Sequence, residues 1–177
     1  MNQKNFTLKT LAEGGMLAAI AVILAEFVKI PLMPNGGSVT LGSMIPVFVF
    51  AYRHGWKKGV FLGIVCGALQ LLFGQKYSLH PLSILCDYII PFGIMGLLPL
   101  FGKSVPKCTL GIFVLSVIRF ISHTVSGMVV FAVPFWGSVT YNLTYVLPDA
   151  IILIILMAIL LKPLAKYGIL NAVRKTA

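Results

Sequence analysis

Acidic residues are nearly missing from this chain: Glu13, Glu26, Asp87 and Asp149 are the four carboxylates among 177 residues. All charged residues together make up 10%, against about 25% in an ordinary soluble domain, which excludes a charged, water-facing surface. Cysteine is equally sparse. Cys66, Cys86 and Cys108 form no CxxC pair, which argues against a disulfide framework or a metal site and for reduced structural thiols. No HExxH or GxSxG spacing occurs, so no catalytic constellation is on offer. Gly102-Lys103-Ser104 has the look of the end of a phosphate-binding loop. Five residues separate it from Gly96, one more than that motif allows, and prolines interrupt the segment, so no internal ATPase is expected.

What is present is apolar: 59% hydrophobic residues and a mean hydropathy of +0.99. That composition belongs to an integral membrane protein. Apolar runs compared with the roughly 20 residues needed to span a bilayer predict six transmembrane helices in a single all-α domain over 1–177. They fall near residues 11–30, 39–53, 58–74, 79–101, 109–132 and 143–162, the second and third being short. The first run contains two acids and no small-residue cleavage pattern, so it reads as a retained helix and not a signal peptide.

Basic residues orient the bundle. Lys4, Lys9, Arg53, Lys57, Lys58, Lys103, Lys107, Lys162, Lys166, Arg174 and Lys175 fall on one side, and only Lys29 and Lys76 on the other. The positive-inside rule then places both termini in the cytoplasm. The net charge of +10 is mostly this topology signal. Scattered over short loops without aromatic interleaving, it does not predict a nucleic-acid partner.

Small residues mark close helix approach. Gly59, Gly63 and Gly67 repeat at every fourth position and predict an intramolecular helix contact. The first helix carries Ala12, Gly15 and Ala19, broadened by Gly14, Ala18, Ala21 and Ala25. Packing within the bundle and docking of a separate membrane protein are both open readings of that strip.

Each acid in an apolar stretch needs a reason to be there, because a charge at the bilayer centre costs roughly 2.5–3.5 kcal/mol. Glu13 follows Thr10 at capping-box spacing. Glu26 precedes Lys29 by three residues and suits a local ion pair. Asp149 follows Pro148, a pair suited to a helix's first turn, and is open to a structural or a ligand role. Asp87 has no such local explanation. At 1.5 Å per residue it lies about 12 Å below the outer end of its helix near Leu79, and His123 lies about 14 Å below the end near Ala132, so the two share a layer. Arg119, one turn deeper on the face of His123, is the candidate ion-pair partner of Asp87 or Asp149. Aromatic and polar groups gather around this layer: Tyr77, Tyr88, Phe131, Phe135, Trp136, Tyr141, Asn142 and Tyr145. An interfacial belt accounts for some of them. Their concentration beside a buried acid suits a small cationic aromatic ligand, held by a carboxylate and by cation–π contacts worth about 0.5–2 kcal/mol each.

The run Gly37-Ser38-Val39-Thr40-Leu41-Gly42-Ser43-Met44-Ile45-Pro46, then Tyr52-Arg53-His54-Gly55, Asp87-Tyr88 with Pro91 and Gly93, Arg119-Phe120-Ile121-Ser122-His123, and Tyr141-Asn142 before Pro148-Asp149, resembles the thiamine-specific substrate-binding subunits (S-components) of energy-coupling factor (ECF) transporters. The resemblance covers nearly the whole chain. It implies a six-helix S-component that captures thiamine on the outer side and works with a transmembrane coupling subunit and two cytoplasmic ATPases. The acid matching Asp87 holds the aminopyrimidine in that family, and His123, Tyr77, Tyr88 and Tyr141 match other pocket positions. Small helix-1 residues of the family contact the coupling subunit, which points to Gly15 and Ala19, with Ala12 beside them. Two positions depart: a tryptophan of some members aligns with Gly36-Gly37 and another with Phe131, leaving Trp136 as the available replacement. The expected substrate-binding set is thus Asp87, His123, Tyr77, Tyr88, Tyr141, Asn142, Phe131, Trp136 and Gly37.

The expectation is a high-affinity thiamine-binding membrane subunit with no catalytic activity and no cofactor, thiamine being the transported ligand. Two alternatives stand. One is an S-component for another vitamin or precursor such as hydroxymethylpyrimidine. The other is a proton-coupled carrier of an organic cation with Asp87, Arg119 and His123 as relay, made less attractive by the lack of an evident inverted repeat.

Overall fold

The computed structural model describes residues 7–33, 37–74 and 76–168. Lys4, Gly36, Arg174 and Lys175, used above for topology and for the first loop, lie outside the described residues. Among the described residues five helices are long and apolar enough to cross a membrane: α1 (Leu8–Phe27), α3 (Trp56–Phe73), α4 (Pro81–Leu100), α5 (Val105–Val129) and α6 (Phe135–Lys166). A short helix, α2 (Ile45–His54), completes the bundle.

The expected second helix over 39–53 is the main departure. Its first residues form β2 (Ser38–Thr40), which pairs antiparallel with β1 (Lys29–Pro31), joining Lys29 to Thr40 and Pro31 to Ser38. Gly42 then turns the chain at φ +84° before α2 begins. At 1.5 Å per residue the ten residues of α2 rise about 15 Å, half of a bilayer core. Val47, Phe48, Phe50, Ala51 and Tyr52 are all buried, so α2 is apolar all round because neighbours cover it on every side. Gly55, at φ +91°, is the single residue between α2 and α3, a conformation that side-chain-bearing residues rarely adopt.

The Gly59, Gly63 and Gly67 face of α3 packs on α4, as expected. A Cβ at Gly59 would lie 2.9 Å from the Gly96 carbonyl oxygen, and Cβ atoms at Gly63 and Gly67 would collide with the carbonyls of Phe92 and Tyr88. The two backbones therefore run antiparallel in direct contact. The α1 strip divides in two. Gly14, Ala18, Ala21 and Ala25 are buried in the bundle, whereas Ala12, Gly15 and Ala19 are exposed.

Two helix-terminus readings are corrected. The N-cap of α1 is Thr7, whose Oγ1 accepts from the Thr10 N–H at 3.2 Å, and Glu13 instead pairs with Arg53 at 2.6 Å and His54 at 3.0 Å across to α2. Helix packing, not local capping, uses that acid. Pro148 and Asp149 lie inside α6 and not in its first turn, since α6 already begins at Phe135. The Glu26–Lys29 pair forms at 2.8 Å as expected, and Cys66, Cys86 and Cys108 are free and buried.

Candidate binding cavity

Asp87 sits where α4 stops being an α-helix. Pro91 has no N–H for the Asp87 carbonyl four residues earlier, so an α pattern cannot run through this point. Residues Ile84–Ile89 adopt a π turn instead, in which the Ile90 N–H donates to the Leu85 carbonyl. Such turns widen a helix locally and recur at functional sites. The Asp87 carboxylate is held by three groups. Ser83 Oγ and Ser126 Oγ donate to Oδ2 at 2.7 and 2.5 Å, and His123 Nδ1 lies 3.1 Å from Oδ1. The layer that helix counting assigned to Asp87 and His123 is thus a direct contact between α4 and α5.

The network continues past the imidazole. Arg119 Nε donates to His123 Nε2 at 3.4 Å, so the tautomer that satisfies both bonds carries its proton on Nδ1 and is neutral. Arg119 Nη1 reaches Asp149 Oδ2 at 2.6 Å, which selects Asp149 as its ion-pair partner. Asp149 is 0% exposed and its Oδ1 accepts from Thr40 N–H at 3.0 Å and Thr40 Oγ1 at 2.7 Å. One chain of hydrogen bonds therefore joins α4, α5, α6 and the β1–β2 hairpin.

These groups border a cavity of about 420 Å³ at the hairpin end of the bundle. That volume falls in the usual range for small-molecule sites, about 300–1,000 Å³. Asp87, His123, Tyr77, Tyr88, Tyr141, Asn142, Phe131, Gly37 and Arg119 all line it. Trp136 does not: it is 73% exposed and lies edge-on to Phe135. Asp149 is likewise behind the wall and not on it. The Asn142 amide is engaged within the protein, donating to the Ser138 carbonyl at 2.8 Å and accepting from Tyr145 Oη at 2.6 Å. The Gly37 N–H donates to Tyr141 Oη at 3.1 Å, which fastens the hairpin to α6 over the cavity.

Charge on the wall is unevenly matched. Glu26 with Lys29, and Arg119 with the hidden Asp149, form neutral pairs. Asp87 is bonded by two hydroxyls and a neutral imidazole and, among the described residues, forms no ion pair with Lys or Arg, beside the aromatic rings of Tyr77, Tyr88 and Tyr141. This arrangement attracts a cation bearing hydrogen-bond donors.

The model of the thiamine transporter protein family matches residues 11–168. The chain belongs to that family. Its similarity to the thiamine transporter ThiT of Bacillus subtilis (strain 168) amounts to 35% identity over 181 residues, covering 90% of this chain and 93% of that protein. The fold matches ThiT from Listeria monocytogenes with a TM-score of 0.71 at 24% identity, covering 93% of this chain and 97% of the other. It also matches the S component of a bacterial ECF transporter with a TM-score of 0.60 at 20% identity, over 90% and 94%. Like others of the thiamine transporter family, this is a multi-pass membrane protein, of a class whose members transport and are not enzymes.

Sequence reasoning missed several residues of the site. Ser83 and Ser126 were invisible because a serine in an apolar helix usually satisfies its own backbone, although Ser83 stands one turn before Asp87. Glu26 was read only as a local ion pair, yet it lines the cavity together with Gln70 and Ser138.

Proposed function

We propose that this chain is the thiamine-binding S-component of an energy-coupling factor transporter. The Asp87 carboxylate, which pairs with no Lys or Arg among the described residues, in an aromatic cavity carries the reading, and family membership supports it. Asp87 takes the aminopyrimidine, whose ring nitrogen and amino group suit a carboxylate, while Tyr77, Tyr88 and Tyr141 offer faces and hydroxyls to the thiazolium. His123 orients Asp87 through Nδ1 and shares the ligand-facing wall. Phe131 and Gly37 close the cavity around the ligand, and Asn142 holds Tyr145 in place. Trp136, outside the cavity, is left without a stacking role.

In this reading the whole chain is one binding domain with six crossings, β2 and α2 together making the second, and both termini in the cytoplasm. Lys9, Arg53, Lys57, Lys58, Lys103, Lys107, Lys162 and Lys166 support that orientation, since the antiparallel helix order gathers them at the end opposite the cavity. The cavity then opens to the outside. A transmembrane coupling subunit, docked at Ala12, Gly15 and Ala19, and two cytoplasmic ATPases supply the energy; the chain itself catalyses nothing and carries no cofactor.

The test is a titration of the purified protein with thiamine, its pyrimidine fragment and its thiazole fragment. Tight binding of thiamine and weaker binding of each fragment is expected. Preference for hydroxymethylpyrimidine over thiamine would assign the chain to that precursor. The continuous Asp87–His123–Arg119–Asp149 chain favours one other reading, a proton-coupled carrier. That reading requires uptake to persist without an ATPase and to collapse when the proton gradient is dissipated.

A further inference from the structure

Hydroxyl-bearing residues in an apolar helix ordinarily turn back on their own backbone, and Thr124 of α5 does so, donating to the Phe120 carbonyl at 2.8 Å. The serines two residues to either side do not. Ser122 Oγ donates to the Cys86 carbonyl at 2.7 Å and Ser126 Oγ to Asp87 Oδ2 at 2.5 Å, both across to the π turn of α4. The first bond answers a defect that Pro91 creates. The Ile90 N–H, which would serve the Cys86 carbonyl in an α-helix, is given to Leu85, and the next residue along, Pro91, has no N–H to offer. Ser122 supplies the missing donor from the neighbouring helix. Ser122, His123 and Ser126 thus form one face of α5 that grips the adjacent residues Cys86 and Asp87.

Neither serine lines the cavity, and Ser126 is 0% exposed. Its hydroxyl therefore reaches a bound ligand only through Asp87. The carboxylate oxygen that it holds also takes the Ser83 hydroxyl at 2.7 Å, from one turn earlier on α4, while His123 Nδ1 holds the other oxygen at 3.1 Å. Donors from both helices, on both oxygens, fix the rotation of the carboxylate before a ligand arrives. Such preorganisation spares the ligand the cost of ordering the group that it binds. We propose that Ser126 is a positioning residue for ligand recognition: its hydroxyl fixes the plane of the Asp87 carboxylate at the angle that the aminopyrimidine of thiamine requires. The assignment rests on the thiamine reading and extends it to a residue that the ligand does not touch.

The experiment is a double-mutant cycle on the purified full-length protein, read by titration with thiamine and with its pyrimidine fragment. Ser126→Ala should weaken both ligands by the same factor, about three- to tenfold, a part of the roughly tenfold or more that a hydrogen bond to a charged group is worth. Once Asp87→Ala has removed the carboxylate, adding Ser126→Ala should cost less than about twofold more, because the serine then has nothing left to position. Ser126→Cys, close in size but a weak donor, should follow Ser126→Ala and serves in its place if the alanine variant does not fold. A loss of the same size with and without the Asp87 carboxylate would make Ser126 a packing residue and overturn the proposal. Affinities within about twofold of wild type for Ser126→Ala would overturn it as well. Either of these outcomes leaves the thiamine reading standing as long as wild-type protein binds thiamine; wild-type protein that binds neither ligand would remove both.

Discussion

Two carboxylates of the same bundle have opposite circumstances. Asp87 faces a cavity and forms no ion pair with Lys or Arg among the described residues, whereas Asp149 is fully buried against the Arg119 guanidinium and Thr40. Their neutralised forms should fail in opposite ways. Asp87→Asn is expected to weaken thiamine binding by about 1.5–3 kcal/mol, or about 10- to 150-fold, with little change in the thermal unfolding of the detergent-solubilised protein. Asp149→Asn leaves Arg119 buried without its counter-charge, a change that typically costs about 3–5 kcal/mol, and should lower the unfolding temperature first. Affinity within twofold of wild type for Asp87→Asn would remove that residue from the ligand contacts. The Asp87–His123 pairing was legible in the sequence because depth in a transmembrane helix follows from residue counting. The choice of Asp149 by Arg119 was legible only as one of two options, since counting gives depth but not the rotation of each helix about its axis. Glu13 was misread for a related reason: a local capping pattern says nothing of Arg53 and His54, some forty residues away.

At the scale of elements, hydropathy located every long helix and failed where the backbone is irregular. The run 39–53 is apolar enough to suggest one helix, but Gly42 and the pairing of Lys29 with Thr40 turn its first part into a hairpin. Likewise 79–101 reads as uninterrupted, and only the position of Pro91 relative to Asp87 hints at the π turn. The glycine series was the firmest element-scale signal, because spacing by four has little other use in an apolar helix. It yields a paired prediction. Gly63→Leu drives a side chain into the Phe92 carbonyl and should prevent recovery of a monodisperse, ligand-binding protein. A Cβ at Gly15 meets no atom within 4 Å, so Gly15→Leu should leave yield and binding unchanged. Size-exclusion profiles and a thiamine titration of the two variants make the comparison, and normal behaviour of Gly63→Leu would contradict the close α3–α4 approach.

For the whole molecule, binding and transport are proposed to occupy opposite ends of the bundle, the cavity near the hairpin and the exposed Ala12, Gly15 and Ala19 on α1 toward the other. Gly15→Trp or Ala19→Trp should therefore bind thiamine normally in purified form while cells relying on the variant fail to accumulate the vitamin. Undiminished uptake would defeat the docking assignment. The Arg119–Asp149 pair has a further consequence, for biogenesis. The chain is made from its N-terminus, so α5 emerges from the ribosome with Arg119 before α6 supplies Asp149, thirty residues later. Inserted alone, α5 would bring a guanidinium into lipid at a cost of roughly 2.5–3.5 kcal/mol. The two helices are thus best released into the bilayer together, as a hairpin already neutralised. Only then can Thr40, synthesised long before, close onto Asp149, which makes sealing of the hairpin over the cavity one of the last events in the protein's assembly.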